Sequence, residues 1–159
     1  MKKFVKPLLA ALLVTTTAAA TTMAFAQQAP KPEQVIKWRQ SVYQVLAWNN
    51  GRIKASVDGT YNKDEVIRAA NAIAAIANSG LGALYPAGTE TGKGWRETTV
   101  KPELFTEQAK AGEAAKKFIT EANELAKVAA TGDAGAVKVA FGKLGQTCKG
   151  CHDDFRKKD

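Results

Sequence analysis

Cys148-Lys149-Gly150-Cys151-His152, close to the C-terminus, is the stretch around which the rest of the chain is organised. On a helix the two thiols, three residues apart, face the same side, and the imidazole follows the second thiol directly. A Cys-x-x-Cys-His run is the attachment motif of c-type haem, in which both thiols add to the vinyl groups of one porphyrin. The sequence therefore predicts one covalent haem c held by Cys148 and Cys151, with His152 as an axial ligand of the iron.

The chain contains two cysteines and one histidine, and all three lie in this stretch. A structural zinc site usually needs four Cys or His ligands, so one would be missing. A thioredoxin-like redox pair is expected beside a βαβ pattern, whereas the flanking sequence has helical periodicity. A short disulfide loop in an oxidising compartment is the remaining alternative, and it gives the adjacent histidine no role. Haem attachment uses all three side chains.

The first 26 residues have the layout of a secretory signal peptide. Lysines at the start precede an apolar run over 7–14, and small residues follow up to Ala24-Phe25-Ala26. The apolar run is too short for a transmembrane helix, although an uncleaved anchor is the alternative. We predict cleavage after Ala26, which leaves residues 27–159 as one exported domain without a membrane span. In a bacterium the predicted location is the periplasm.

The charge of the chain is moderately basic. The signal carries three lysines and no acidic residue, so its loss lowers the net charge from +8 to +5. Nucleic-acid binding would need a denser basic patch with interleaved aromatic residues, and the sequence has neither, so no nucleic-acid partner is expected. We interpret the charge as favouring solubility and, at most, weak docking to an acidic redox partner.

Helical periodicity predicts four amphipathic helices and no strand in the remaining chain. Pro32 suits a helix start, Asn62 and Glu65 resemble a capping box, and Asp133 is a good N-cap. Start and stop signals place the helices, in chain order, at residues 32–58, 62–78, 102–131 and 133–155. Because most connections are short, we predict an all-α antiparallel four-helix bundle with the haem near the C-terminal end of the fourth helix.

The connection over residues 80–101 is long and rich in glycine, and loops of this length in compact domains are often functional. It carries Tyr85 and Trp95, which are costly to expose, so we expect it to fold over another part of the protein. A hydrophobic plug without contact to haem is the alternative role of both aromatics.

Four further segments carry a family resemblance that spans the chain after the signal. Trp38-Arg39-Gln40-Ser41 resembles a Tyr-Arg-Gln segment of the first helix, and Asp153-Asp154-Phe155-Arg156 resembles a C-terminal signature. Pro86-Ala87-Gly88-Thr89 and Lys101-Pro102-Glu103-Leu104-Phe105 resemble the two ends of a connection between helices. With the haem motif on the last helix, the sequence is similar to the class II c-type cytochromes, and specifically to the cytochrome c′ family.

The resemblance implies a four-helix bundle, usually a homodimer, with covalent haem and iron bound on one side only. It also implies binding of nitric oxide and carbon monoxide, and a part in periplasmic electron transfer. Carried over by position, Arg39 and Gln40 would lie near the haem and its propionates. Thr98 and Thr99 would approach the haem edge, and Tyr43 would cover the open face of the iron.

The residues alone leave alternative interpretations for Arg39, Tyr43 and Arg156. Arg39 is equally consistent with a solvated helix residue, and Tyr43 with simple core packing. Arg156 stands four residues after His152 on the same helix face. It either packs near the imidazole on the proximal side or complements the end of the helix.

The ligand census separates two functions. Low-spin class II electron carriers use a methionine from the first helix as the second axial ligand. The only methionines here are Met1 and Met23, both within the predicted signal. We therefore predict a five-coordinate, mainly high-spin iron that binds small gases, with a dedicated periplasmic electron carrier as the alternative. A peroxidase would need a distal base, usually histidine, so no enzymatic activity is expected.

One physical observation supports the predicted homodimer besides the resemblance. The first two helices carry alanines that would allow a second subunit to approach closely. They are Ala47, Ala55, Ala69, Ala72 and Ala75.

Overall fold

The structure, a computed structural model, describes residues 29–158. The predicted signal peptide, residues 1–26, lies outside the described residues together with both methionines, so its cleavage stays a prediction. Four long helices and one short one make up most of the described chain. They are, in chain order, α1 (Pro32–Asp58), α2 (Lys63–Ala77), α3 (Glu103–Thr106), α4 (Gln108–Thr131) and α5 (Ala134–Phe155).

The long helices pack as antiparallel neighbours, α1 with α2, α2 with α4 and α4 with α5. Arg52 near the end of α1 pairs with Glu65 near the start of α2. Lys110 near the start of α4 lies 3.0 Å from Asp154 near the end of α5. Within residues 29–158 there are two isolated bridges and no strand. The predicted all-α antiparallel four-helix bundle is confirmed.

Local capping chemistry sets the helix ends where the sequence predicts them. The side chain of Asn62 accepts the Glu65 N–H at 3.1 Å, and that of Asp133 accepts the Ala136 N–H at 2.9 Å. Each bond satisfies a backbone donor that has no partner inside its own helix. Gly132 between α4 and α5 has a φ of +80°, a left-handed conformation that glycine adopts without strain.

The prediction of one continuous third helix over 102–131 is wrong. Glu107, with φ −96° and ψ 52°, separates the single turn of α3 from α4. Phe105 of that turn packs edge-on against Tyr85, with ring centroids 6.2 Å apart. The single turn of α3 therefore packs against the 80–101 connection, whereas α4 packs within the bundle. The helical conformation is interrupted at Glu107, between these two packing directions.

The core runs through all four long helices. Its largest fully buried apolar side chains include Ile53, Val66, Ile73, Leu125, Val137 and Leu144. Small residues of α2 complete it, and one of them, Ala69, is completely buried. Ala69 is therefore unavailable to a second subunit, which corrects that part of the alanine prediction. Ala47, Ala55 and Ala75 are exposed, and Ala72 is half-buried.

The 80–101 connection folds over α1, as expected, and contains a 3-10 turn at Leu81–Leu84. Its Thr89 is buried and its Tyr85 is half-buried. The expectation that Trp95 would be covered is wrong, because this residue is 62% exposed. No helix within the described range is long and apolar enough to cross a bilayer.

Candidate functional site

The last turns of α5 present the two thiols of the motif. Cys148 and Cys151 are half-buried and are not joined in a disulfide. Burial raises the pKa of both thiols, so both are neutral near neutral pH. A structural zinc site usually needs four Cys or His ligands, and no group of three or more His, Cys, Asp or Glu that could hold a metal forms within residues 29–158. Two thiols on one helix face beside an imidazole instead suit thioether attachment of a macrocycle. The donor set therefore fits haem c.

His152 follows in the same turn, and its imidazole interacts electrostatically with Arg156. Partial burial, and then the positive charge of Arg156, lower the pKa of the imidazole. A neutral imidazole is the form that binds a metal. The backbone N–H of Arg156 also donates to the His152 carbonyl at 3.0 Å. Arg156 therefore lies at the end of the helix and acts electrostatically on the imidazole, and its place on the proximal side of a haem stays a prediction.

Two tyrosines face the thiols from other elements. Tyr85 in the connection donates its hydroxyl to the hydroxyl of Tyr43 on α1 at 3.0 Å. Burial is the main cause that raises the pKa of each phenol, and the nearby Cys151 contributes in both cases. Tyr43 is 38% exposed, so it is not a core residue, and its place over the iron stays a prediction. The sequence predicted Tyr43 here; its contact with Tyr85, 42 residues away, had no sequence signal.

Arg39 is buried, at 4% exposure, so the interpretation as a solvated helix residue is wrong. Its guanidinium donates to Leu84 O at 3.1 Å, to Thr89 Oγ1 at 3.1 Å and to Thr89 O at 3.0 Å. A fourth bond reaches Thr98 Oγ1 at 3.0 Å. The guanidinium also lies over the Tyr85 ring, 4.6 Å from its centroid. Arg39 therefore fixes both ends of the connection, and the tyrosine, to α1.

Gln40 binds the connection at residues 95 and 96. Its amide donates to Arg96 O at 2.9 Å and accepts from the Trp95 N–H at 2.7 Å. A Cβ on Gly94 would lie 2.6 Å from the Gln40 side chain, so this close approach requires glycine. The Trp95 indole donates to Ser41 Oγ at 2.8 Å, which keeps the exposed ring against α1.

Thr98 and Thr99 lie where the connection passes from α1 to the end of α5. Thr98 Oγ1 accepts from Arg39, and Thr99 O accepts the Lys157 N–H at 2.8 Å. The next residue, Val100, forms an antiparallel bridge with Arg156. Contact of either threonine with haem stays a prediction, as it does for Arg39 and Gln40.

An apolar cavity of about 230 Å³ opens beside the connection. It lies between the C-terminal end of α2 and α4, and is lined by Ala77, Leu81, Phe118 and Ile119 among others. The N-terminal half of α4 and the last turn of α5 share one end of the bundle, as the Lys110–Asp154 ion pair shows. None of its lining residues belongs to the Cys148–His152 stretch, so this cavity is not assigned to the haem.

Comparison with known proteins agrees with this geometry. The family model described as cytochrome c′ matches residues 34–156. The cytochrome c′ of Rhodocyclus tenuis is 68% identical over 130 residues, which cover 81% of this chain and 98% of that protein.

Two solved structures are similar in fold. One is a cytochrome c′ with an unusual ligand-controlled dimer dissociation, with a TM-score of 0.79 and 51% identity over 81% of this chain and 98% of that one. The other is the nitric oxide complex of a mutant cytochrome c′ from Alcaligenes xylosoxidans, with a TM-score of 0.72 and 28% identity over 81% of this chain and 98% of that one. The resemblance found in the sequence is confirmed: the chain belongs to the cytochrome c′ family, and that membership implies a haem c cofactor.

Proposed function

We propose that this chain is a periplasmic gas-binding haem protein. Cys148 and Cys151 hold one haem covalently, and His152 is the only protein ligand of the iron. Haem c, when bound, supplies an iron whose second axial position is open to nitric oxide or carbon monoxide. The periplasmic location rests on the predicted signal peptide over residues 1–26.

The hydrogen-bonded pair of Tyr43 and Tyr85 beside the thiols is the observation that carries this proposal. Residues 29–158 contain no methionine and no histidine besides His152. A phenol binds iron as phenolate, and the raised pKa of both tyrosines keeps them protonated near neutral pH. In this proposal the pair covers the open side of the iron as neutral phenols that do not bind it. The nitric oxide complex of the Alcaligenes xylosoxidans relative supports the choice of ligand.

Electron transfer to a redox partner is secondary in this proposal, because a change of coordination at the iron would slow it. Peroxidase chemistry is not part of it, since the single histidine of the chain is assigned to the iron.

Covalent attachment is tested by denaturing electrophoresis with haem staining. The wild-type band should stain, and Cys148→Ala with Cys151→Ala together should abolish the stain. Cys151→Ala alone should keep one thioether and a weaker stain. Haem that extracts from the wild-type protein into acidified organic solvent would refute covalent attachment.

We further propose that the protein is a homodimer paired through α1. Trp38, Val45 and Trp48 recur at helical spacing and are 45%, 45% and 62% exposed. Exposed apolar patches on a soluble domain mark interaction surfaces, and a twofold dimer uses one patch twice. Ala55, seven residues after Trp48 on α1, is also exposed, and its small side chain would let a second subunit approach closely. The relative with a ligand-controlled dimer dissociation supports a second copy as the partner.

A further inference from the structure

The C-terminal end of α5 is held by a residue that the proposed function does not use. The last four carbonyls of any helix lack partners inside the helix. In α5 these belong to residues 152–155. The His152 carbonyl accepts the Arg156 N–H at 3.0 Å. The other three all accept from Lys101.

Lys101 reaches these carbonyls with its side chain and its backbone. Its Nζ lies 2.9 Å from Asp153 O and 3.0 Å from Asp154 O. Its backbone N–H donates to Phe155 O at 2.8 Å. An ammonium at this position also complements the negative end of the helix dipole. One residue from another part of the chain thus completes the last turn of the helix that carries His152.

The segment over residues 98–101 joins this helix end to α1. Thr99 O accepts the Lys157 N–H, and Val100 forms its bridge with Arg156. At the other end, Thr98 accepts from Arg39, which lies one turn before Tyr43 on α1. Val100 and Phe155 are both buried, so the segment is anchored by packing as well as by hydrogen bonds.

A second lysine at the same helix end offers a contrast. Lys110 Nζ lies 3.0 Å from the Asp154 carboxylate and 3.6 Å from that of Glu107. Its two ion-pair partners are exposed carboxylates, and such ion pairs contribute little to stability. Lys110 Nζ also lies 5.4 Å from the centroid of the Phe155 ring, but it makes no hydrogen bond to the carbonyls of this turn. Lys101 instead binds the main chain directly after His152. Helix ends fray when their carbonyls lack partners. Loss of the Lys101 side chain would therefore loosen the last turn of α5, which fixes the direction of the His152 imidazole.

We infer that Lys101 is a positioning residue for His152, which fixes the direction of the axial imidazole by completing the last turn of α5. The inference rests on the proposed function, in which His152 binds the iron. Groups that orient a metal-binding histidine tune the metal through it, and Lys101 acts on the backbone that carries the histidine.

The test compares Lys101→Met with Lys110→Met in the full haem-loaded protein. Resonance Raman spectroscopy of the ferrous protein reports the iron–histidine stretching band. In Lys101→Met this band should shift or broaden beyond the difference between wild type and Lys110→Met. Amide hydrogen exchange at residues 152–155 should become about two- to fivefold faster in Lys101→Met only, as loss of a cation at a helix C-terminus implies.

The outcomes separate the inference from the proposed function. A wild-type protein with no iron–histidine band would refute the ligation by His152 itself. A wild-type band that stays unchanged in Lys101→Met, with unchanged exchange, would overturn the inference and leave the ligation intact. If Lys101→Met accumulates without haem, Lys101→Gln is measured instead, and an unchanged band in that variant overturns the inference equally.

Discussion

Removal of the Tyr43 hydroxyl should strengthen carbon monoxide binding. In the structure Tyr85 donates to Tyr43 at 3.0 Å, beside Cys151. A ligand that enters at the covered position must displace Tyr43 and break this bond. A hydrogen bond between neutral groups contributes about 0.5–1.5 kcal/mol. Tyr43→Phe removes that cost from ligand entry, so carbon monoxide affinity should rise about two- to tenfold. Tyr43→Ala also removes the ring and should bind more tightly still.

The assay is an equilibrium carbon monoxide titration of the ferrous protein, followed by absorbance. Tyr85→Phe removes the same bond from the other side, so it should raise the affinity by a similar factor. The double replacement should gain no more than either single one, because the pair shares one interaction. Tyr61→Phe is the matched control, since this buried hydroxyl has no hydrogen-bond partner among the described residues. Unchanged affinity in Tyr43→Ala would remove Tyr43 from the ligand position, and weaker binding in Tyr43→Phe would refute the reasoning.

Three further outcomes are expected. Arg39→Met should lower the free energy of unfolding by about 2–5 kcal/mol in urea denaturation, since its buried acceptors lose their donors; a loss within experimental error would contradict the anchoring role. Arg52 and then Arg68 lower the pKa of Glu65 to about 2, so these ion pairs stabilise the protein above pH 4.5 and lose effect as the pH falls towards 2. Glu65→Gln should therefore melt lower than wild type at pH 7, and most of this difference should be lost at pH 2; a constant difference would refute this. Val45→Glu should shift sedimentation towards monomer, whereas Val139→Glu should not, although Val139 on α5 is 63% exposed against 45% for Val45. A Val45→Glu protein that stays dimeric rules out the α1 interface.

Local chemistry made much of the fold predictable from the sequence. The caps at Asn62 and Asp133 act on backbone within three residues, so sequence neighbours suffice to find them. The break at Glu107 escaped prediction because it depends on where Phe105 packs, and that partner is Tyr85 in another segment. Ala69 was assigned to the surface because α2 carries alanine on several faces, and small residues do not distinguish a core face from an interface.

In the candidate site too, some residues were predictable from the local sequence and others only from the fold. The thiols and His152 lie in one stretch, and the motif alone predicted them. Trp95 was expected to be covered because of its residue type, but its indole bonds to Ser41 and remains exposed. Lys101 gave no signal of its role, because its partners in α5 lie more than fifty residues along the chain. Contacts of this kind become visible only in the folded structure.

The absorption spectrum of the purified ferrous protein, before and after addition of carbon monoxide, tests the central claim most directly. We expect a five-coordinate high-spin spectrum near neutral pH that converts to a six-coordinate low-spin spectrum on addition of the gas. A six-coordinate low-spin spectrum without added ligand would contradict the account, because a second protein ligand would then occupy the position assigned to the gas.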